Sequence, residues 1–151
     1  MNDIQVDMPE ERMSPLEREI ASEKPTVAFT VGDSMEPLLY NRSTRVVIVK
    51  ADRELKRNEL PMYKRPNGQF VMHRIIKADA DYYYTRGDNR TGLERVPKHW
   101  VQGVVTEIYR KKNHFTVDDK GYRGYVTVWN LIYPIRWLVY KFRGKIRRIK
   151  R

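Results

Sequence analysis

The chain contains no cysteine among its 151 residues and only three histidines. The missing thiols exclude disulfide bridges, cysteine nucleophiles and cysteine-ligated zinc. The histidines, His73, His99 and His114, are widely separated and belong to no HExxH pattern of the kind that binds zinc. We therefore expect neither a metal site nor any other cofactor.

Long apolar runs are missing as well. No window reaches the roughly 18 uncharged apolar residues that a membrane-spanning helix needs. The most apolar stretch, residues 126–142, is interrupted by Asn130, Pro134, Arg136 and Lys141. The N-terminus has no basic region followed by an apolar run, so it does not resemble a secretory signal. These features lead us to expect a cytoplasmic protein.

Acidic residues are too few to balance the basic ones. Thirty Lys and Arg residues stand against nineteen Asp and Glu, a formal charge of +11. Residues 1–24 carry seven acidic and three basic residues, whereas residues 136–151 carry eight basic residues and no acidic one. Apolar residues make up 40% of the chain, which is enough for the core of one compact domain.

Turn residues and alternating apolar residues predict a β domain that follows a short helix. Ser14 as N-cap, Pro15 at the first helical position and Glu17 in a capping box predict a helix that runs to about Glu23. β-branched residues at a period of two then predict strands, and Pro61 would restrict its strand to an edge or a first position. The predicted strands are Thr26–Val31, Thr44–Lys50, Glu59–Lys64, Phe70–Ala78, Tyr82–Arg86 and Val101–Tyr109.

This pattern is typical of a mainly β protein rather than of an alternating βαβ fold. We divide the chain into an acidic N-terminal segment with a short helix, residues 1–25, and a β domain, residues 26–125. An aromatic and basic C-terminal segment, residues 126–151, completes it.

The C-terminal segment has the pattern of a basic amphipathic helix that begins near Pro134. Basic residues occupy much of the helix surface outside its apolar face, and aromatic residues cluster near its start. The apolar residues share one helical face, and they are Ile135, Leu138, Val139, Phe142, Ile146 and Ile149. Such a helix fits an anionic membrane surface, contacted through residues 134–151 on the inner face of the membrane. The other interpretations are docking on the β domain itself, and nucleic-acid binding, which no aromatic binding motif supports.

The segment Gly32-Asp33-Ser34-Met35-Glu36-Pro37 follows a predicted strand directly and has the features of a nucleophile turn. Gly32 permits a backbone turn that a side chain would obstruct, and Pro37 stiffens the residues that follow. Ser34 would then present its hydroxyl and its backbone N–H to the same carbonyl carbon and oxygen. Acyl transfer needs both a nucleophile and an oxyanion donor.

A serine nucleophile needs a base, and His73 is the natural candidate. It lies 39 residues after Ser34 in an apolar predicted strand, Phe70–Ala78. A neutral imidazole works best as a base when a carboxylate orients its other nitrogen. Asp88 in the turn Arg86-Gly87-Asp88-Asn89 and Glu94, six residues later, are both candidates for this acid. The sequence leaves the choice between them open.

In this order and at these intervals, the motifs resemble the serine peptidase superfamily that contains signal peptidase I and the SOS-repressor-type self-cleaving peptidases. The residues that carry the resemblance are Gly-Asp-Ser-Met-Glu-Pro at 32–37, His-Arg-Ile-Ile at 73–76 and Arg-Gly-Asp-Asn at 86–89. Bacterial signal peptidases and the repressors use a lysine base, whereas archaeal and endoplasmic-reticulum-type signal peptidases have a His-Arg pair there. The pair at 73–74 makes this chain similar to the Ser-His branch.

The resemblance implies a partly open β-barrel peptidase fold, a Ser34 nucleophile, a His73 base and cleavage of a leader or signal-like polypeptide after small residues. The chain departs from the pattern at three places. The acid of the eukaryotic-type enzymes falls by spacing at Glu94, a usual Gly-Asp pair is replaced near Asn41, and no N-terminal membrane anchor is expected. No helix-turn-helix or Ala-Gly cleavage pair precedes Ser34, which argues against a self-cleaving repressor. The alternative is a non-catalytic peptide- or nucleic-acid-binding module on the same fold.

Overall fold

The computed structural model describes the backbone of residues 12–149 and the side chains of residues 12–144. Strand content exceeds helix content, 35% against 26%, so the protein is mainly β as the sequence predicts. Most of the predicted acidic stretch, residues 1–11, lies outside the described part, as do the side chains of Ile146 and Ile149.

Within residues 12–149, nine strands form two antiparallel sheets. The larger sheet is strongly curled into a half-barrel, with strand order β1-β2-β8-β3-β4 and with β9 paired to β8. The smaller sheet has the order β5-β6-β7. The strands are β1 (Thr26–Phe29), β2 (Thr44–Lys50), β3 (Pro61–Lys64), β4 (Phe70–Met72), β5 (Arg74–Ala78), β6 (Tyr82–Arg86), β7 (Glu94–Pro97), β8 (Val101–Arg110) and β9 (Asn113–Thr116).

The predicted strand Phe70–Ala78 is wrong as a single strand, because the chain breaks at His73. Its first part, β4, pairs with β3 in the larger sheet, and its second part, β5, pairs with β6 in the smaller one. His73 thus lies at the junction of the two sheets. Pro61 occupies the first position of β3, which is an interior strand between β8 and β4.

The N-terminal helix α1 (Pro15–Ala21) begins at the predicted capping box and ends two residues before the predicted end at Glu23. The Ser14 hydroxyl accepts from the Glu17 N–H at 3.3 Å, and the Glu17 carboxylate accepts from the Ser14 N–H at 2.8 Å. Glu17 is buried and also binds the Lys64 ammonium at 2.9 Å. The helix is therefore fixed to β3 by a charge pair as well as by its apolar side.

Among the described side chains, two apolar clusters hold the fold together. The first lies inside the curled sheet, where Ile20 of α1, Met35, Leu39 and Val126 pack on strand residues such as Ile48. The second lies between the two sheets and contains Leu55 of the loop after β2 together with residues of both sheets, namely Tyr63, Val71, Ile75, Tyr83, Val96 and Val104. Burial of apolar area of this kind supplies most of the driving force for folding.

The C-terminal part consists of two helices, α2 (Lys120–Leu131) and α3 (Tyr133–Ile149). The sequence predicts α3 but not α2. Tyr122 and Val126 of α2 are buried in the first cluster, so α2 crosses the division drawn between residues 125 and 126. Between residues 12 and 149, no helix is both long enough and apolar enough to cross a bilayer.

Candidate active site

Ser34 lies in the turn that leaves β1, half-buried beside the curled sheet. Gly32 adopts φ +90°, a left-handed conformation that favours glycine, and its N–H donates to the Asn41 side-chain oxygen at 3.0 Å. Met35 is buried in the first apolar cluster, which anchors the residue directly after the serine. Local conformation before Ser34 and core packing after it thus fix the position of the hydroxyl.

His73 faces Ser34 from the junction between β4 and β5. Its Nε2 atom lies 3.2 Å from the Ser34 Oγ atom, which is hydrogen-bonding distance. The imidazole is largely buried, and this burial lowers the pKa of His73 to about 4, although the negative charge of Glu94 opposes the shift. The ring is therefore neutral near pH 7 and has a lone pair available as a base.

Tyr63 determines which nitrogen of His73 carries the proton. The Tyr63 hydroxyl donates to the Glu94 carboxylate at 2.7 Å, and its oxygen lies 3.3 Å from the Nδ1 atom of His73. Because the single phenol hydrogen points to Glu94, the oxygen can only accept from His73. We therefore assign the proton to Nδ1, which leaves Nε2 free to accept the Ser34 hydroxyl hydrogen.

Glu94 is the carboxylate nearest to the base. One of its oxygens lies 3.6 Å from His73 Nδ1, and Arg65 binds both oxygens, at 2.8 and 2.7 Å. Burial alone would raise the pKa of Glu94, but the hydrogen bonds from Arg65 and Tyr63 outweigh it and hold the pKa below its usual value. Glu94 is therefore a carboxylate near pH 7, in a position to stabilise an imidazolium at His73.

Asp88, the other predicted acid, is occupied elsewhere. Its oxygens accept from Arg74 at 2.8 and 2.7 Å, and Tyr125 donates to it at 2.9 Å. Arg74 and Asp88 are both almost completely buried. Burial disfavours the arginine charge, yet the Asp88 carboxylate outweighs it and raises the pKa of Arg74. Within residues 12–144, Asp88 makes no ion pair or hydrogen bond with His73. Of the two acids, the structure brings only Glu94 to the Ser34–His73 pair.

The loop after β6 holds the nucleophile turn in place. The Asn89 N–H donates to the Ser34 carbonyl at 2.8 Å, and the Asn89 side chain donates to the Asp33 carbonyl at 3.1 Å. Gly87 lies so close that a Cβ atom built there would be 2.4 Å from the Ser34 carbonyl oxygen. Asp33 is exposed and binds Arg90 at 2.6 Å, an interaction that lowers the pKa of Asp33.

The Ser34 N–H donates no hydrogen bond to any of the described residues. The Ser34 carbonyl, in contrast, is committed to Asn89. Pro37, the last residue of the motif, accepts from Arg110 through its carbonyl at 2.7 Å. Most polar groups of the motif are thus used to anchor the turn, whereas the Ser34 N–H makes no hydrogen bond within the described residues.

A cleft of about 490 Å³ opens beside Ser34 and His73. Its walls include residues of β1 and β4, which are the two end strands of the curled sheet. Apolar side chains such as Met62 and Phe70 line it together with the motif residues. Among the described residues, no group of three His, Asp or Glu side chains could hold a metal ion.

The sequence alone does not indicate the roles of Tyr63 and Arg65 or the structural role of Arg74. Tyr63 is fully buried in an apolar strand, and its hydroxyl must find a polar partner there. Tyr63 lies in β3, which pairs with the strand that ends just before His73. A tyrosine at such a position indicates that its hydroxyl has a polar partner near the histidine. No local signal identifies the Arg74–Asp88 pair, because Arg74 begins β5, Asp88 lies in the loop after β6, and the two residues meet only in the folded protein.

No protein-family model matches this chain, and a comparison with curated proteins finds no match.

Proposed function

We propose that the protein is a serine endopeptidase of the signal-peptidase type that removes a leader or signal-like segment from another polypeptide. The observation that carries this proposal is the 3.2 Å contact between Ser34 Oγ and His73 Nε2, the nitrogen that our tautomer assignment leaves without a proton. A serine hydroxyl is a weak nucleophile unless a base of this kind stands beside it. The resemblance of the three motifs to the Ser-His signal peptidases supports the same chemistry.

In the first step, Ser34 Oγ forms a bond to the carbonyl carbon of the substrate while His73 Nε2 takes the hydroxyl proton. The resulting imidazolium lies beside the negative charge of Glu94, 3.6 Å away. The tetrahedral intermediate then breaks its C–N bond, and Nε2 returns the proton to the leaving amine. Water attacks the acyl-serine by the same route and regenerates the Ser34 hydroxyl.

The free N–H of Ser34 is suited to stabilise the oxyanion that forms during this attack. A backbone donor that is already held in place stabilises the negative charge that develops in the transition state without a free-energy cost for reorganisation. The hydrogen bonds from Asn89 to Ser34 and Asp33 supply that rigidity.

The cleft favours an extended polypeptide as substrate. β1 and β4 each have one edge without a partner strand in the described sheet, and both border the cleft. An extended peptide can pair with such edges through its main chain. We propose that the enzyme acts in the cytoplasm at the inner face of the membrane, where nascent leader segments are accessible.

A serine-directed fluorophosphonate tests the proposal without knowledge of the substrate. We expect the wild-type protein to gain one adduct, mapped to Ser34 by mass spectrometry. Ser34→Ala and His73→Ala should abolish labelling, whereas the exposed-residue controls Ser43→Ala and His114→Ala should retain it. If the wild-type protein is labelled and the His73→Ala variant is labelled as well, the mechanism is contradicted.

The second arm uses a panel of synthetic leader peptides with small residues before the cleaved bond. Cleavage by wild type and none by the Ser34→Ala variant would support the endopeptidase. Peptide binding by both, without labelling or cleavage in either, would instead indicate the non-catalytic binding module.

A further inference from the structure

Helix α3 contacts the rest of the protein through polar atoms on one side. The Tyr133 hydroxyl donates to the Thr91 carbonyl at 2.8 Å. One turn later Arg136 donates to the Asp88 carbonyl, and after another turn Tyr140 donates to the Asn89 side chain. Because positions 133, 136 and 140 are spaced by three and four residues, they share one face of the helix. That face is the one that rests on the protein.

The apolar residues of α3 lie on the opposite face and have no cover within the described part of the chain. At 100° per residue, Ile135, Leu138 and Phe142 lie roughly half a turn away from the docked face. They are 66%, 47% and 57% exposed, and Val139 beside them is 48% exposed. Four large apolar side chains on one helical face constitute a patch that soluble proteins rarely leave open.

Positive charge surrounds this patch. Lys141 and Arg143 lie to either side of it on the same helix, and no acidic residue follows Asp119 in the chain. Trp137 is 42% exposed beside the patch, with the Lys141 ammonium 4.8 Å from its ring centroid. An apolar stripe with basic and aromatic residues at its borders matches the interface of an anionic lipid layer.

Charge also argues against the other partners of this face. Two copies of α3 packed stripe to stripe would bring uncompensated basic residues together, since the helix has no acidic side chain to pair with them. A nucleic acid would neutralise the charge but would leave the apolar stripe in water. Only a surface that is both anionic and apolar underneath satisfies the two features together.

We propose that α3 lies in the plane of an anionic phospholipid layer, with Ile135, Leu138, Val139 and Phe142 among the acyl chains. The basic side chains then lie at the level of the headgroups. The docked face of α3 remains on the loop that follows β6, so the candidate active site is kept at the membrane surface. This inference goes beyond the proposed peptidase activity and does not depend on it.

Vesicle flotation of the full-length protein tests the proposal. We expect binding to phosphatidylcholine mixed with phosphatidylglycerol, little binding to phosphatidylcholine alone, and release by high salt. The apolar variant Leu138→Ser/Phe142→Ser and the charge variant Lys141→Gln/Arg143→Gln should each lower the partition coefficient by about tenfold or more. All four side chains are at the surface, so the thermal unfolding midpoint should stay close to that of wild type.

Two matched variants control for general effects of polarity and charge. Val27→Ser removes a 61% exposed apolar side chain from β1, and Lys56→Gln/Arg57→Gln removes two exposed charges from the body. Both should bind vesicles like wild type, as should Ser34→Ala. The proposal would be overturned if the control variants lost as much vesicle binding as the α3 variants, or if the wild type did not bind vesicles. It would also be overturned if the protein preferred duplex DNA or RNA to vesicles, or if it formed a dimer that Leu138→Ser/Phe142→Ser abolished.

Discussion

Replacing Glu94 by glutamine is the sharpest test of how the base is assisted. The substitution keeps a side chain of similar shape that can still accept from Tyr63, but it removes the negative charge beside His73. At the observed 3.6 Å, Coulomb's law with an effective dielectric constant of about 20 gives roughly 4.6 kcal/mol between that charge and an imidazolium. This value corresponds to a rate factor of about 2,000.

The true factor should be smaller, because Glu94 is partly exposed to solvent and its carboxylate is also bound by Arg65. We therefore expect Glu94→Gln to lower the second-order rate of Ser34 acylation by about 10²–10³-fold. The attraction of Glu94 raises the pKa of His73, so its removal should also move the acidic limb of the pH–rate profile below pH 4.

Asp88→Asn is the matched comparison, because it removes the same charge from the other candidate. It leaves the buried Arg74 without its counter-charge, so the free energy of unfolding should fall by about 3–5 kcal/mol in a urea titration. The folded fraction should still acylate at close to the wild-type rate. If folded Asp88→Asn lost reactivity while Glu94→Gln kept it, the assignment of Glu94 would be refuted.

Two further predictions concern the base and the loop beside the nucleophile. The pKa of His73 is about 4 in the folded protein and 6.5 in the unfolded chain, so acylation should fall only below about pH 4. The free energy of unfolding should rise as the pH increases from 4 to 6.5, because only the unfolded chain then binds the proton. His73→Gln should flatten that rise. Gly87→Ala should lower the free energy of unfolding by about 1–3 kcal/mol and slow acylation, because its Cβ would lie 2.4 Å from the Ser34 carbonyl oxygen. Gly124→Ala should have neither effect, because a Cβ there would have nothing within 4 Å. A Gly87→Ala variant as stable and reactive as wild type would contradict the contact.

Several strands and the capping box were predictable because their signals are local, whereas β7 and β9 are not predicted by the sequence. Thr44–Lys50 and Tyr82–Arg86 have the predicted bounds, since β-branched and aromatic residues flanked by turns define a strand within a few positions. The helix α2 was missed because Gly121, Gly124 and neighbouring β-branched residues disfavour a helix. Burial of Tyr122 and Val126 in the first apolar cluster overrides that weak propensity.

The sequence predicts the residue types of the candidate site but not the hydrogen bonds and ion pairs that connect them. Turn chemistry indicated Ser34, and a polar residue within an apolar run indicated His73. The choice between Asp88 and Glu94 depends on which arginine reaches each of them across the fold, and spacing along the chain carries no such information. The break at His73 was hidden for a similar reason, because every residue from Phe70 to Ile76 except the His-Arg pair suits a continuous strand.

The junction between the two sheets has a mechanical consequence for catalysis. Ser34 follows a strand of the curled sheet, Glu94 begins a strand of the smaller sheet, and His73 is the hinge residue between them. The distances among the three side chains therefore report how one sheet is seated on the other. Ile75 and Val96 are fully buried between the two sheets, so their packing fixes the relative position of the sheets and with it the alignment of nucleophile, base and acid.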